Sequence, residues 1–463
     1  MQLNPRKPGR IAAGLGLMTT ALLAGGSVAE AQDSVSSSGT SLMTEGVAEP
    51  GTTTVDTAVL FYQEQGGRVR AIEPSTEFTA NMLNGDTISG SLTFDSLTGA
   101  TPNGAAPWTS PQTFTSIQPA PSTQVTSTSA SGNRIVTTVP GTGLVQSTYT
   151  VAANTLPMDA GFKDHRFAGT LGYGALLDPD TRLKFGCAAS VERDYQSYSG
   201  NLGISRDLFG KNTTVSLAAN LEWDKSKPYY GTPTGFQALN SQVTGGNDSK
   251  TVISVVAGVT QTLTRFWLTQ LNYSYGSSKG YQTDPYKVLS EVDGQLGTPL
   301  QYIYENRPRS RTRQSVYWGN KIALGPTVAD VSLRYYHDSW GIDSITAEAS
   351  EQIPLGRNFY VEPLFRYYHQ SAANFYVKYL ISGAALPAYA SADGRLSRFN
   401  ATTLGVKAGV RLFEGTELYL DAEDYRQSGD HLDPGAPGAL ATLDMFPGVH
   451  ALSVITGLRV KFE

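Results

Sequence analysis

From about residue 51 to the end of the chain, apolar and polar residues alternate with a period of two. Val331, Leu333 and Tyr335 are interleaved with Asp330, Ser332, Arg334 and Tyr336. Leu404, Val406, Ala408, Val410 and Leu412 stand against Thr403, Gly405, Lys407, Gly409 and Arg411. The same sorting runs through Val215 to Asp224 and through Leu452 to Phe462. Successive side chains of a strand point to opposite faces, so each segment predicts a strand with one apolar and one polar or ionic face. Sixteen such segments can be drawn, at 52–63, 69–82, 86–97, 165–177, 181–193, 196–208, 213–224, 251–263, 266–278, 311–324, 327–337, 342–353, 358–371, 397–412, 416–427 and 449–462.

Alternation alone also fits a soluble sandwich, and the connections decide between the two. Every second one is a tight turn, as at Asn84-Gly85, Asp178-Pro179-Asp180, Gly325-Pro326 and Glu414-Gly415, built from residues that supply turn geometry. The others include long stretches at 98–164, 226–249, 279–310, 372–396 and 429–448. Short turns on one side and long loops on the other predict an all-β fold, a transmembrane antiparallel β-barrel of about sixteen strands, with fourteen to eighteen compatible. An even count puts both ends of the barrel on the short-turn, periplasmic side. Trp223, Trp318, Trp340, Tyr335, Tyr336, Tyr367 and Tyr368 fall toward strand ends, where interfacial aromatic girdles sit.

Composition then removes competing classes. After the first residues no apolar run reaches the roughly 18 needed for a helical span. Arg6, Lys7 and Arg10 precede an apolar run, Ile11 to Leu23, and Ala29-Glu30-Ala31 follows it. This predicts a secretory signal peptide over 1–31, a flexible periplasmic lead-in over 32–50 and an outer-membrane barrel over 51–463. Removing three bases and one acid with the signal moves the net charge from −5 to −7. Mild acidity argues against nucleic acid as a partner. A single cysteine, Cys187, excludes a disulfide scaffold, and its parity with Leu183, Phe185 and Val191 places it on the lipid face. The partners expected are the outer-membrane bilayer, the assembly machinery that inserts barrels, and small solutes.

Several longer segments carry a resemblance. They are Phe94 to Ala105 (FDSLTGATPNGA), Leu271 to Ser274 (LNYS), Gly280 to Lys287 (GYQTDPYK), Tyr304 to Pro308 (YENRP), Tyr335 to Ile342 (YYHDSWGI), Arg366 to Ala373 (RYYHQSAA) and Tyr425 to Asp430 (YRQSGD). Through these the chain resembles the DUF3570 family of Gram-negative proteins. The resemblance implies an outer-membrane barrel of unknown biochemical role and carries no functional residues with it. Many outer-membrane barrels end on an aromatic residue, whereas here Phe462 is followed by Glu463.

The polar parity gathers the candidate site residues. Arg334, Arg366, Lys407 and Arg411 are expected to form a basic side of the lumen, with Asp330, Glu362, Asp421 and Glu423 opposite. Such charges either set solute selectivity or pair across strands and stiffen the wall. The Ser, Thr, Pro and Gly-rich stretch 98–164 is either a surface flap or an inward plug. His337, Asp338, Asp343 and His369 match no metal-ligand spacing and read as strand ends and turn formers. No G-x-S-x-G, H-E-x-x-H or phosphate loop occurs. The expectation is therefore a passive channel without cofactor, metal or catalytic residues. A non-conducting surface or assembly module stands as the alternative, and an enzyme at the rim comes third.

Overall fold

The computed structural model describes residues 49–119, 135–139, 144–239, 241, 243 and 245–463. The signal peptide expected over 1–31 and most of the lead-in lie outside the described residues. Sixteen strands close into one antiparallel barrel. They are β1 (Thr53–Glu64), β2 (Arg70–Asn81), β3 (Thr87–Pro102), β4 (Met158–Asp178), β5 (Thr181–Val191), β6 (Tyr195–Leu208), β7 (Thr213–Ser226) and β8 (Asp248–Thr264). The second half comprises β9 (Trp267–Gly280), β10 (Ser310–Leu324), β11 (Thr327–Asp338), β12 (Asp343–Leu355), β13 (Phe359–Gln370), β14 (Phe399–Phe413), β15 (Thr416–Gly429) and β16 (His450–Phe462). Each strand pairs with its neighbours in sequence, and β16 returns to pair with β1 from Thr53↔Phe462 to Glu64↔Ala451. Closure leaves no edge strand with unpaired backbone groups.

The alternation read from the sequence sets the two faces. Leu404, Val406, Leu418, Leu420, Leu452 and Leu458 point outward and are exposed, while Lys407, Tyr419, Glu423 and Ile455 point inward. Trp223, Trp318, Tyr335 and Tyr367 join the outward apolar face. Tyr336 and Trp340 do not: both are buried on the inner side, so they belong to the interior and not to an interfacial girdle. Cys187 is free and exposed on the outward face, as its parity requires.

At one end the connections are as short as Gly325-Pro326. Gly415 takes φ +74° in the turn between β14 and β15, a conformation that favours glycine. At the other end the strands outrun their expected limits. The segment 98–164, expected to be wholly loop, is strand at both ends. Thr98 pairs with Lys163 and Pro102 with Met158, with one register shift between Gly99 and Thr101. This extends β3 and β4 beyond the mouth and makes β4, at 21 residues, the longest strand of the barrel. Between them, Gln112–Pro119, Leu144–Val151 and Ile135–Val139 form a three-stranded sheet.

The β15–β16–β1 seam shows how the inner wall packs. The Tyr419 ring lies across Gly457 of the next strand, leaving no room there for a Cβ, and its hydroxyl donates to Asp56 at 2.9 Å. Arg459 reaches the same carboxylate at 2.5 Å, and Lys407 sits over the Tyr419 ring at 4.7 Å from its centroid. One acid on β1 thus ties the last two strands to the first.

Candidate functional site

The eight candidate lumen residues all lie on β11 to β15 and all face inward. Their register corrects the expected arrangement. Glu362 of β13 is the direct cross-strand partner of Lys407 of β14, and Lys407 is in turn the partner of Asp421 of β15. The basic and acidic groups therefore interleave on one arc of the wall and do not confront each other across it. In an up-and-down barrel neighbours in sequence are neighbours in space, which gives each base a nearby acid on the same arc.

Their individual settings differ. Arg366 Nε meets Glu348 at 2.6 Å, Asp330 faces Lys321 at 3.4 Å, and Glu362 accepts from the Ser350 hydroxyl at 3.1 Å. The Arg334 guanidinium lies 5.6 Å from the Tyr317 ring centroid. Lys407 and Glu423 are buried within the wall, whereas Arg411 is exposed near the short-turn mouth. Several of these inward groups are wet: the Lys321 and Asp330 side chains are 39% and 36% exposed and Glu348 is 34% exposed. The inner wall around these groups therefore borders open space inside the barrel.

The other end of the lumen is covered. Five long connections, after β3, β7, β9, β13 and β15, pack on one another into a cap. Its frame is a three-stranded sheet in the order Pro299–Tyr304, Val288–Val292, Leu380–Ile381, made from the β9–β10 and β13–β14 connections. The β3–β4 connection crosses to it. Val288 N donates to Asn103 O at 2.9 Å, and Ala106 N donates to the Ser290 hydroxyl at 2.9 Å. Gly104, at φ +94°, brings its Cα so close that an added Cβ would stand 2.4 Å from Val288 O. The β7–β8 connection joins through Leu239 N to Tyr302 O at 2.9 Å. The β15–β16 connection contributes Leu440, Leu443 and Met445 to an apolar cluster with Ala106 and Val292. Because β3 and β9 are six strands apart in a ring of sixteen, these contacts span the mouth.

Inside the cap lies a cluster of six charges, three acids and three bases: Asp284, Glu305 and Asp393 with Lys287, Arg307 and Arg395. All but Arg395 are buried by the whole residue. Arg307 holds Glu305 at 2.6 Å and Asp393 at 2.7 Å. Arg395 holds Asp284 at 2.7 Å and Asp393 at 2.5 Å. Asp284 N donates to Glu305 at 2.7 Å, and Lys287 Nζ donates to Pro102 O. Burial pushes the Asp393 carboxyl up, but Arg395, Arg307 and Lys287 outweigh it and hold the group well below the usual carboxylate range. Asp284 is likewise lowered, burial being outweighed by Arg395, Lys287 and Arg307. Glu305 is raised, since burial prevails there over Arg307. Sequence reading passed over these residues, although DPYK and ENRP stood within segments that carried the family resemblance.

The histidine and aspartate group acts as its spacing implied. Asp338 accepts from Trp340 N and Ile342 N at 2.9 and 3.0 Å, which forms the β11–β12 turn, and pairs with Arg311. His337 bonds Asp343 at 2.9 Å, and His369 bonds Asn400 at 2.8 Å. A separate trio, Asp164, Glu192 and Asp194, brings its carboxylates within 4.8 Å of one another at the loop end of β4 to β6. Sequence reading did not find it, because Asp164 lies on β4 whereas the other two lie in the β5–β6 connection. Tyr286 donates to Asp194 at 2.5 Å, linking the trio to the cap.

Among solved structures, the ferric enterobactin receptor of Pseudomonas aeruginosa is similar at 10% identity and a TM-score of 0.40, over 89% of this chain and 60% of that one. CdiB from Acinetobacter baumannii is similar at 9% identity and 0.42, over the same shares of each chain. The chain spans about 60% of the length of those structures. No curated protein matches it. The model of a protein family of unknown function, DUF3570, matches residues 12–458. This match covers the whole barrel up to the last residues of β16, and the chain belongs to the DUF3570 family.

Proposed function

We propose that this protein is a passive channel of the outer membrane, through which small hydrophilic solutes cross, with the loop cap restricting the outer entrance. The observation that carries this reading is the solvated inner wall. Inward ion pairs such as Lys321 and Asp330 are more than a third exposed although they lie inside a closed barrel. A sixteen-stranded barrel is too wide for its own side chains to fill and leaves an aqueous lumen. Outward apolar strands, short turns at one end and long connections at the other support placement in the outer membrane, short turns toward the periplasm. No chemical step enters this reading. The interleaved charges of β11 to β15 give the lumen alternating sign along one arc, which favours small polar or zwitterionic solutes over ions of a single sign.

The cap favours a second reading, a module whose pore is shut and whose outer surface engages a partner. Planar-bilayer recording of the purified barrel separates the two: steady ohmic steps support the channel, and silence supports the shut module. Replacing 103–155 by a short linker removes the strap that crosses to Val288 and Ser290, and single-channel conductance is expected to rise. Unchanged conductance would show that the strap does not restrict the entrance.

A further inference from the structure

The outward face of the barrel changes character near its loop end, and it does so unevenly around the ring. On β13 to β16 the outward basic residues there have acidic or polar partners within the protein. Arg398 pairs with Asp430 at 3.1 Å, and Arg426 and His450 both meet Asp424 at 2.7 Å. On β11, His337 has Asp343. On β2 to β4 the same level carries Arg70, Lys163 and His165, all outward. Among the described residues, no outward position of β1 to β5 at this level is acidic. Among the described residues, neither Arg70 nor Lys163 has a carboxylate within ion-pair distance.

The register sets these groups in a compact array. Arg70 is the cross-strand partner of Thr98, and Thr98 is the partner of Lys163. Arg70 and Lys163 thus stand on one row, with backbones about 10 Å apart and a hydroxyl between them. One row lower, Ser96 is the partner of His165. Both long basic side chains can reach one anion held between them, with Thr98 and Ser96 as further donors. Directly beneath, toward the short-turn end, the outward face is apolar and exposed: Ile72 52%, Leu92 59%, Phe94 46% and Phe167 56%.

We infer that Arg70, Thr98, Lys163 and His165 form a site for the phosphate of a phosphorylated lipid in the outer leaflet, whose acyl chains lie on Ile72, Leu92, Phe94 and Phe167. The inference rests on the outer-membrane placement proposed above. A lipid fits better than a soluble anion because cation and apolar surface occur together in the vertical order of a headgroup above its chains. The unmatched positive charge on this arc, against the internally matched charge on β13 to β16, is the complementarity that selects a negative partner.

The test uses the full mature barrel in detergent micelles, titrated with bis-phosphorylated lipid A and followed by native mass spectrometry. Heat-modifiable migration of every variant first verifies that the barrel is folded, which separates loss of the site from loss of the fold. Reconstitution in vesicles with outward-facing loops tests the placement separately. The double variant Arg70→Gln with Lys163→Gln is expected to weaken binding about tenfold or more, since two charge-assisted contacts are lost. Arg398→Gln with Arg426→Gln, beside β14 and β15 where the charges are internally matched, is expected to leave it unchanged. Equal lipid binding by the first double variant and the parent overturns the site. Equal binding of lipid A and its dephosphorylated form overturns the phosphate assignment. Displacement of the lipid by millimolar inorganic phosphate overturns the choice of a lipid over a free anion.

Discussion

Replacing Arg307 by leucine tests whether the cap is a packed body or a set of loosely apposed loops. The substitution keeps bulk and removes the guanidinium between Glu305 and Asp393, at 2.6 and 2.7 Å. The Arg307 and Glu305 side chains are 1% and 0% exposed, so no water replaces the lost partner and solvent screening gives no relief. Removing one member of a buried pair costs about 3–5 kcal/mol, mostly from the charge left behind. At about 1.4 kcal/mol per tenfold, that raises the open population of the cap by roughly 10²- to 4 × 10³-fold. Hydrogen exchange at Asn306 and Ala390 reads this directly, because the two residues exchange N–H to O bonds of 2.9 Å across the β9–β10 and β13–β14 connections. Their exchange should accelerate by that factor while the amides in the middle of β14 and β15, held by the barrel's own ladder, are unaffected. The combined Glu305→Met, Arg307→Met variant should regain much of the protection, because one acid and one base leave together and Asp284 and Asp393 still balance Lys287 and Arg395. Exchange at Asn306 unchanged in Arg307→Leu would refute the reasoning.

Other consequences follow from the same geometry. Asp56→Ala removes the acceptor shared by Tyr419 and Arg459 at the β16–β1 closure; leaving those donors unmatched costs about 1–3 kcal/mol, and the temperature at which the compact gel band converts to the unfolded one should fall. A conversion temperature equal to that of the parent would mean the seam does not depend on this acid. Acid should loosen the cap. Asp393 and Asp284 have folded pKa values below their unfolded value of about 3.9, so their stabilisation is complete above that pH and is lost as pH falls toward the depressed values. Glu305, raised by burial, acts with the opposite sign at higher pH. Protease nicking of the 281–309 connection should therefore increase below about pH 4, and a flat profile down to pH 2 would count against this account.

The wall of this protein was legible because the physics that fixes it is local. Alternation specified the faces of all sixteen strands, and the Gly and Asn turns fixed their pairing, so the expected segments differ from the observed strands mostly by one to three residues. The larger misses have physical causes. Beyond Leu97 the β3 residues Thr98 to Pro102 lose alternation, because above the apolar belt neither face is sorted by lipid; only pairing with Met158 to Lys163 keeps them extended. The expected basic and acidic sides of the lumen failed for another reason. Parity states that Lys407 and Glu362 both face inward, but their separation around the ring follows from strand adjacency, which makes them direct partners.

The cap was not legible, and its chemistry explains why. Asp284, Lys287, Glu305 and Arg307 are residue types that usually mark a solvated loop, and no periodicity separates a buried charge from an exposed one. What buries them is a contact between connections some hundred residues apart, such as Arg395 on Asp284. The sequence nevertheless carried an indirect sign of it. The family-like segments around Asn103, Asp284, Glu305, Trp340 and Ala373 are scattered along the chain, yet they all end at the loop side of the barrel, and those around Asn103, Asp284 and Glu305 meet in the cap. A wall that only needs to alternate can be built from many sequences, whereas a balanced cluster of three acids and three bases fails when any one member is lost. The residues that distinguish this barrel from a generic one therefore lie in the cap.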